Sequence, residues 1–292
     1  HLSIRRQRQM CIRDRTRTIQ MLLAYLVLER SRLHPREVLA DLFWGEYDEA
    51  RARSCLNTAL WRLRKALEPE VTPNGRYLVT SHTGEVGFNL DCDCWLDVAA
   101  FEERAALALR APVERADPAQ VRALEEGLAL YTADLLEGVY EDWALTAREH
   151  ARLLYLQGLD YLMRYYRRQD DPLQAIEYGQ KILDKDPLRE GVHRELMQLY
   201  DDSGQRSLAV RQYDTCRRLL LEELGIPPME ETRRLYDAII GVEPPAAAIP
   251  APNGKLKDIL NELHLAHESL EQANRQYHQA LRRLEEYTSL NH

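Results

Sequence analysis

Apolar residues between Thr18 and Arg32 fall at Met21, Leu22, Tyr25 and Val27/Leu28, a helical period that predicts a first helix stopping near Arg32. A second, shorter helix is predicted from Pro35, whose fixed φ suits a first helical turn. It runs through Val38, Leu39 and Leu42 to Trp44, with Gly45 as its stop. Asp48 has an N-cap side chain, and the run behind it, from about residue 48 to 67 and ending before Pro69, carries the stripe Ala52, Leu56, Ala59/Leu60, Leu63 and Leu67. The period then changes to two. Tyr77 to Thr80 and then Val86, Phe88 and Leu90 flank a polar turn at Ser81 to Gly84, which predicts a β-hairpin.

Three short helices followed by a hairpin make the pattern of a winged helix-turn-helix, expected over residues 16–94. From Trp95 to about Ile240 the pattern is helical throughout. Its loops are marked by Pro112, Asp117-Pro118, Asp171-Pro172, Asp186-Pro187, Ser203-Gly204 and Gly225 to Pro228. Leu162 and Leu196, Tyr166 and Tyr200, Ala175 and Ala209, and Ile176 and Val210 are each separated by 34 residues. That is the tetratricopeptide period, in which small residues let two helices approach and large ones fill the space between repeats. Residues 95–241 therefore read as an α-solenoid. Residues 242–254, with Pro244, Pro245, Pro250 and Pro252, read as an extended linker. Beyond it Leu256, Leu263, Leu270, Tyr277 and Leu284 recur every seventh place, with Ile259, Ala266, Ala273, Ala280 and Tyr287 three places on. This heptad pattern predicts a coiled-coil helix over 255–292, pairing closely with a partner helix through its Ala layers or packing back on the solenoid. The expected fold class is mainly α: a winged helix-turn-helix, a tetratricopeptide-like α-solenoid and a C-terminal coiled-coil helix.

Residues 1–15 fit none of these periods. The segment MCIRDR within them resembles translated adapter sequence, so they read as a cloning or assembly remnant, the alternative being a disordered basic arm that touches phosphate. The family expectation below makes the chain truncated or spliced at its start.

Composition sharpens the picture. The chain has 292 residues and a net charge of −8, which at first argues against a nucleic-acid partner. Divided along the chain, however, residues 1–91 carry 15 basic and 11 acidic side chains, while residues 92–292 carry 24 and 36. Residues 16–91 balance at ten against ten, so any basic patch there is made by placement. The acidic body would discourage non-specific adhesion to DNA and leave local contacts available. No apolar run reaches the ~20 residues of a membrane span, and no signal peptide is visible. Five Cys at irregular spacing fit a reducing cytoplasm better than a disulfide framework.

In a winged helix the third helix enters the major groove. Opposite its apolar stripe stand Arg51, Ser54, Asn57, Thr58, Trp61, Arg62 and Lys65. These suit phosphate oxygens and base edges, with Asn57 able to pair an adenine edge and Arg or Lys a guanine. A solvated helix face is the competing reading, and Trp61 could instead pack on the wing or a partner. Arg76, Thr80, Ser81, His82 and Thr83 of the hairpin could reach an adjacent groove or backbone, and Arg76 and His82 are taken as candidate contacts. Cys92 and Cys94 read as two ordinary thiols rather than a metal pair. His264 and His267 read as a solvated coiled-coil flank. Glu141-Asp142 and Glu230-Glu231 fit helix starts. No catalytic set, cofactor site or metal site is assigned.

The run LLAYLVLERSRLHPREVLADLFWGE, then ARARSCLNTALWRLRKALEP, the hairpin and CWLDVAAFEE resembles an OmpR/PhoB-type winged helix joined to a bacterial transcriptional activator domain, as in SARP/AfsR-like regulators. The stretch from LREGVHRELMQLY to EETRRLY is similar to the end of that activator domain, so the resemblance covers about residues 18–240. It implies sequence-specific binding of double-stranded DNA, usually as a dimer on repeated half-sites. It also implies that the helical domain serves activation, dimerisation or contact with RNA polymerase. Two departures stand out. The family's winged helix begins with a small β-sheet that residues 1–17 are too short to supply, and its recognition helix often carries Arg where Asn57 stands. No GxxxxGK[ST] segment is present, so the ATPase module of some larger relatives is not expected in this chain. A protein-interaction scaffold whose winged helix does not read DNA is the alternative function, and an enzyme is not expected.

Overall fold

The computed structural model describes residues 17–68 and 75–242. The basic leader, nearly all of the Pro-rich linker and the heptad segment with His264 and His267 lie outside them. The described residues form two compact units, one reaching to Pro228 and one beginning at Met229.

The first unit begins with α1 (residues 17–28), α2 (Arg36–Trp44) and α3 (Glu49–Leu67), followed by β1 (Leu78–Thr80) and β2 (Val86–Phe88). Asp48 caps α3 as expected, its carboxylate accepting from the Arg51 amide at 3.0 Å. Pro35 occupies the cap of α2, one place before the first turn where the sequence reading put it. Leu22, Tyr25 and Leu26 of α1, Leu39, Ala40, Phe43 and Trp44 of α2, and Ala52, Leu56, Ala59, Leu60 and Leu63 of α3 close one apolar core with Leu78, Val86 and Phe88. Val38 and Leu42, counted among the apolar positions of α2, are instead exposed at 50% and 43%. A nine-residue helix offers only one face to this core, and that face is taken by the pairs Leu39/Ala40 and Phe43/Trp44.

The hairpin pairs Leu78 with Phe88 and Thr80 with Val86. The predicted in-out alternation of its second strand does not hold: Val86, Gly87 and Phe88 are all buried, and Leu90 is exposed. The cause is a third rung of backbone. His34, between α1 and α2, exchanges hydrogen bonds with Val86 at 2.8 and 2.9 Å, so β2 is covered from the helical side as well. A Cβ at position 87 would stand 2.6 Å from Leu33 Cδ2 and 3.2 Å from the Arg32 carbonyl oxygen, so a larger residue there would have to displace the Leu33 side chain.

The helical body comprises α4 (Asp97–Leu109), a short 3₁₀ turn (Val113–Arg115), α5 (Pro118–Leu128), α6 (Asp142–Arg168), α7 (Pro172–Lys185), α8 (Glu190–Asp202) and α9 (Arg206–Leu224). Asp117 and Asp171 cap α5 and α7, each followed by Pro at the first helical position. The 34-residue pairs occupy equivalent places: Leu162 and Leu196 are fully buried, as are Ala175 and Ala209. Gly179 of α7 faces Leu196 of α8, and a Cβ there would lie 2.7 Å from Leu196 Cδ2. His193 of α8 is buried. Its Nε2 lies 2.9 Å from the Pro187 carbonyl and its Nδ1 2.6 Å from Gln212 Nε2 of α9. Burial pushes its pKa down, only partly offset by the Pro187 carbonyl and Glu190, so the neutral ring donates from Nε2 and accepts at Nδ1.

Two further expectations are corrected. The helical pattern is not continuous, because residues 129–141 form an irregular loop between α5 and α6. Arg148 of α6 holds that loop, donating to the carbonyls of Leu135 at 2.7 Å, of Val139 at 2.8 Å and of Leu136. Gly138 is the one glycine in the loop, in the left-handed conformation, and proline is absent from it. Cys92 and Cys94, read as separate thiols, are joined as a disulfide.

The head and the body are packed together. Trp143, at the start of α6, meets Tyr25 and Phe43 of the head edge-on, with ring centroids 5.4 and 6.1 Å apart. Arg30, just past the end of α1, pairs with Glu102 of α4 at 2.6 Å, and Arg17 reaches the Gly138 carbonyl at 2.8 Å. The second unit contains α10 (Glu230–Ile240), which opens on Glu230 and Glu231 as expected and ends on Gly241 in the left-handed conformation. Among the described residues no helix is long and apolar enough to cross a membrane.

Candidate nucleic-acid interface

The 3.6-residue period of α3 separates its two faces cleanly. Ala52, Leu56, Ala59, Leu60 and Leu63 face the core, and Arg51, Ser54, Asn57, Thr58, Trp61, Arg62 and Lys65 are all exposed. Trp61 keeps 59% of its surface open, with Lys65 Nζ 5.2 Å from its ring centre. Arg51 lies over the ring of Tyr47 at 4.3 Å. Among the described residues neither Arg62 nor Lys65 forms an ion pair, whereas the neighbouring Arg53 is engaged by Glu49 at 2.8 Å and Glu37 at 3.5 Å. The face has two edges. Arg51, Ser54, Thr58 and Arg62 line a cavity of about 180 Å³ against Ile19, Trp44 and Tyr47. Ser54, Asn57, Thr58 and Trp61, with Ala50 and Arg53, line a shallower one. The Thr58 hydroxyl donates to the Ser54 carbonyl at 2.9 Å, so that proton is spent within the helix.

The hairpin is fastened to α3 at three points. Glu68, buried just past the end of α3, accepts from the backbone amides of Tyr77 at 2.8 Å, Leu78 at 3.0 Å and Gly75 at 3.2 Å. Burial alone would raise its pKa. The three amides and the Arg64 charge outweigh that and hold the carboxyl below 4.5. Arg64 donates to Thr80 Oγ1 at 2.7 Å. Arg36, the first residue of α2, donates from Nη1 to Asn57 Oδ1 at 2.7 Å and from Nε to the Gly84 carbonyl of the hairpin turn at 2.9 Å.

At the hairpin tip His82 is exposed, while Ser81 and Thr83 share a 2.6 Å contact and both turn toward Glu85. Arg76 is exposed at the other end of the hairpin, its guanidinium 5.5 Å from the Tyr77 ring. The α3 residues and the turn thus lie side by side, and Arg76 and His82 mark opposite ends of the wing. Sequence reasoning missed Arg36 and Arg64. For Arg36 a signal existed, since a cation at the first residue of a helix opposes the macrodipole and calls for a compensating partner.

A separate concavity of about 660 Å³ in the helical body is lined by Val113, Tyr161 and three arginines of α6. Those arginines are paired with carboxylates: Arg164 with Asp160, Arg167 with Glu195 and Arg168 with Glu114. Among the described residues no group of His, Cys, Asp and Glu is arranged to hold a metal ion.

Residues 96–240 match the bacterial transcriptional activator domain. The regulatory protein AfsR of Streptomyces coelicolor is 29% identical over 231 residues, which cover 79% of this chain and 22% of AfsR. The transcriptional regulatory protein MoaR1 of Mycobacterium tuberculosis is 26% identical over 225 residues, covering 75% of this chain and 70% of MoaR1. The chain thus spans about a fifth of the AfsR proteins it matches. Among solved structures, Mycobacterium tuberculosis EmbR in complex with a low-affinity phosphopeptide superposes with a TM-score of 0.59 at 20% identity, covering 78% of this chain and 60% of EmbR, a likeness of fold. With a match to the activator domain in the helical body and relatives that align ahead of it as well, the chain is similar to the AfsR-like transcriptional regulators, and it shares a mainly helical fold with EmbR.

Proposed function

We propose that this protein is a sequence-specific regulator of transcription that binds double-stranded DNA in the bacterial cytoplasm, with α3 in the major groove and the hairpin as a wing beside it. That role divides the chain into a DNA-binding head over 16–94 and an activator domain over 95–241, while the linker and coiled-coil expectations for 242–254 and 255–292 fall almost wholly outside the described residues. The single observation that supports it best is the polar face of α3. Arg51, Ser54, Asn57, Thr58, Trp61, Arg62 and Lys65 are all solvent-exposed on the side away from the core, and Arg62 and Lys65 keep their charges out of ion pairs among the described residues. A merely solvated helix face would gain from carboxylates four residues away, as Arg53 does with Glu49. Arg62 and Lys65 are placed for phosphates or guanine edges, Ser54 and Asn57 for base edges, and His82 and Arg76 for backbone on either side. The helical body then serves activation, through dimerisation or contact with RNA polymerase. This is a binding role rather than an enzymatic one.

The test begins with selection of bound duplexes from a random library, followed by titration of the selected duplex. Arg62→Glu with Lys65→Glu is expected to weaken binding about tenfold or more and to make the dependence of log affinity on log salt shallower. Unchanged affinity in the charge-reversed protein would remove α3 as the reading element.

A further inference from the structure

Resting on the DNA-reading role of α3, we propose that Arg36 is a positioning residue that turns Asn57 into a donor toward the base it meets, and so selects guanine rather than adenine there. A guanidinium carries only N–H donors, so the atom of Asn57 that faces it at 2.7 Å is the amide oxygen. An asparagine recognises adenine by using both halves of its amide, the oxygen accepting from N6 and the nitrogen donating to N7. In this protein the oxygen is already engaged by a cation, and an exocyclic amino group brought to it would meet the guanidinium's positive charge. The Nδ2 hydrogens remain. Beside them stand the remaining donors of Arg36, so this part of the surface offers donors and positive charge together. Guanine, with N7 and O6 side by side, is the base whose major-groove edge offers two adjacent acceptors.

The position of Arg36 makes this a built arrangement. The guanidinium spans two elements, with Nε on the Gly84 carbonyl at 2.9 Å and Nη1 on Asn57. Holding the wing turn and orienting the recognition side chain are therefore done by one group. The carbonyl clamp limits how far Arg36 can swing when DNA arrives, so Asn57 keeps its orientation on binding. A cation at the first residue of α2 is unfavourable to that helix by itself, and the two acceptors offset it.

The experiment is selection of duplexes from a random library by the full chain and by two variants, each first checked for an unchanged circular dichroism spectrum and melting temperature within a few degrees. The wild-type protein is expected to enrich a motif with guanine at one position that Asn57→Ala alone makes indifferent. Arg36→Ala frees the Asn57 oxygen and is expected to move that same position toward adenine by about fivefold or more while the other positions stay. If Arg36→Ala loosens the wing enough to lower its melting temperature, Asn57→Ala, which leaves the Arg36–Gly84 clamp in place, still decides: loss of the guanine preference supports the proposal. A motif unchanged in both variants overturns it while leaving the DNA-reading role intact. Adenine selected by the wild-type protein at the Asn57-dependent position also overturns it. Failure of the wild-type protein to select any motif overturns both.

Discussion

Tyr25 and Trp143 meet edge to face with their ring centroids 5.4 Å apart, although one belongs to the first helix of the winged-helix head and the other to the 27-residue α6 of the body. The head therefore shares an aromatic cluster with the body, Phe43 completing it at 6.1 Å from Trp143. Edge-on aromatic pairs contribute on the order of 1 kcal/mol beyond the area they bury. Because this cluster joins elements more than a hundred residues apart, it sets how far the two parts unfold as one.

Trp143→Ala is accordingly expected to lower stability by about 3 kcal/mol, through lost packing and a partly unfilled space. It is also expected to split the thermal transition, with the head melting before the helical repeats. Differential scanning calorimetry reads both effects. A single transition at the wild-type temperature would show that Arg30–Glu102 and the backbone contacts alone couple the two parts.

Glu68 gives a pH dependence with a definite sign. Its folded-state pKa lies below 4.5, so the folded protein gives up that proton more readily than the unfolded chain. The stabilisation it confers is complete above about 4.5 and is lost as the pH falls through the lower folded value. Glu68→Ala removes three charge-assisted acceptor bonds and is expected to cost about 2 kcal/mol at neutral pH. The variant should then lose less of its remaining stability than the wild-type protein between pH 5 and pH 3. Denaturant titrations at these pH values test it, and parallel pH profiles for the two proteins would count against the anchor.

Gly179 and Gly191 make an opposed pair. A Cβ on Gly179 would stand 2.7 Å from Leu196 Cδ2, 3.1 Å from Leu196 Cγ and 3.2 Å from Met163 Sδ, and both neighbours are buried with little room to give. Overpacking of that kind costs about 1–3 kcal/mol and outweighs the ~1 kcal/mol that alanine gains over glycine within a helix. Gly179→Ala should therefore destabilise the protein. A Cβ on Gly191 would meet nothing within 4 Å, so Gly191→Ala should be neutral or stabilising. Melting temperatures of the two variants decide the matter, and a stabilised Gly179→Ala would contradict the close approach of α7 and α8.

Much of this architecture was legible because it is local and periodic. The exposed set on α3 follows from its buried stripe, since the two are opposite sides of one helical period. The tetratricopeptide-like repeats showed themselves because each repeats the same contact, and Ala175 and Ala209 have to be small for the same reason. The loop over 129–141 was missed because it carries no proline and a single glycine, Gly138, and is held by a guanidinium from outside it, Arg148. The loss of alternation in β2 came from a bridge to His34, which strand periodicity cannot anticipate.

The candidate site divides along the same line. That Arg51, Ser54, Asn57, Thr58, Trp61, Arg62 and Lys65 are exposed followed from helical angle alone. The role of Arg36 did not, because it depends on where the first turn of α2 lies relative to the middle of α3 and the hairpin turn.

By itself the sequence determined where most of the helices lie, the apolar stripe of α3, and that a hairpin follows three helices, because these depend on neighbours within a few positions. Only the tertiary structure decided that Asn57 has its oxygen engaged, that Glu68 fastens the wing, and that Trp143 joins body to head. Each of those depends on a distance between segments that no local period encodes, and that distance is set by how the apolar faces of all the elements close on one another.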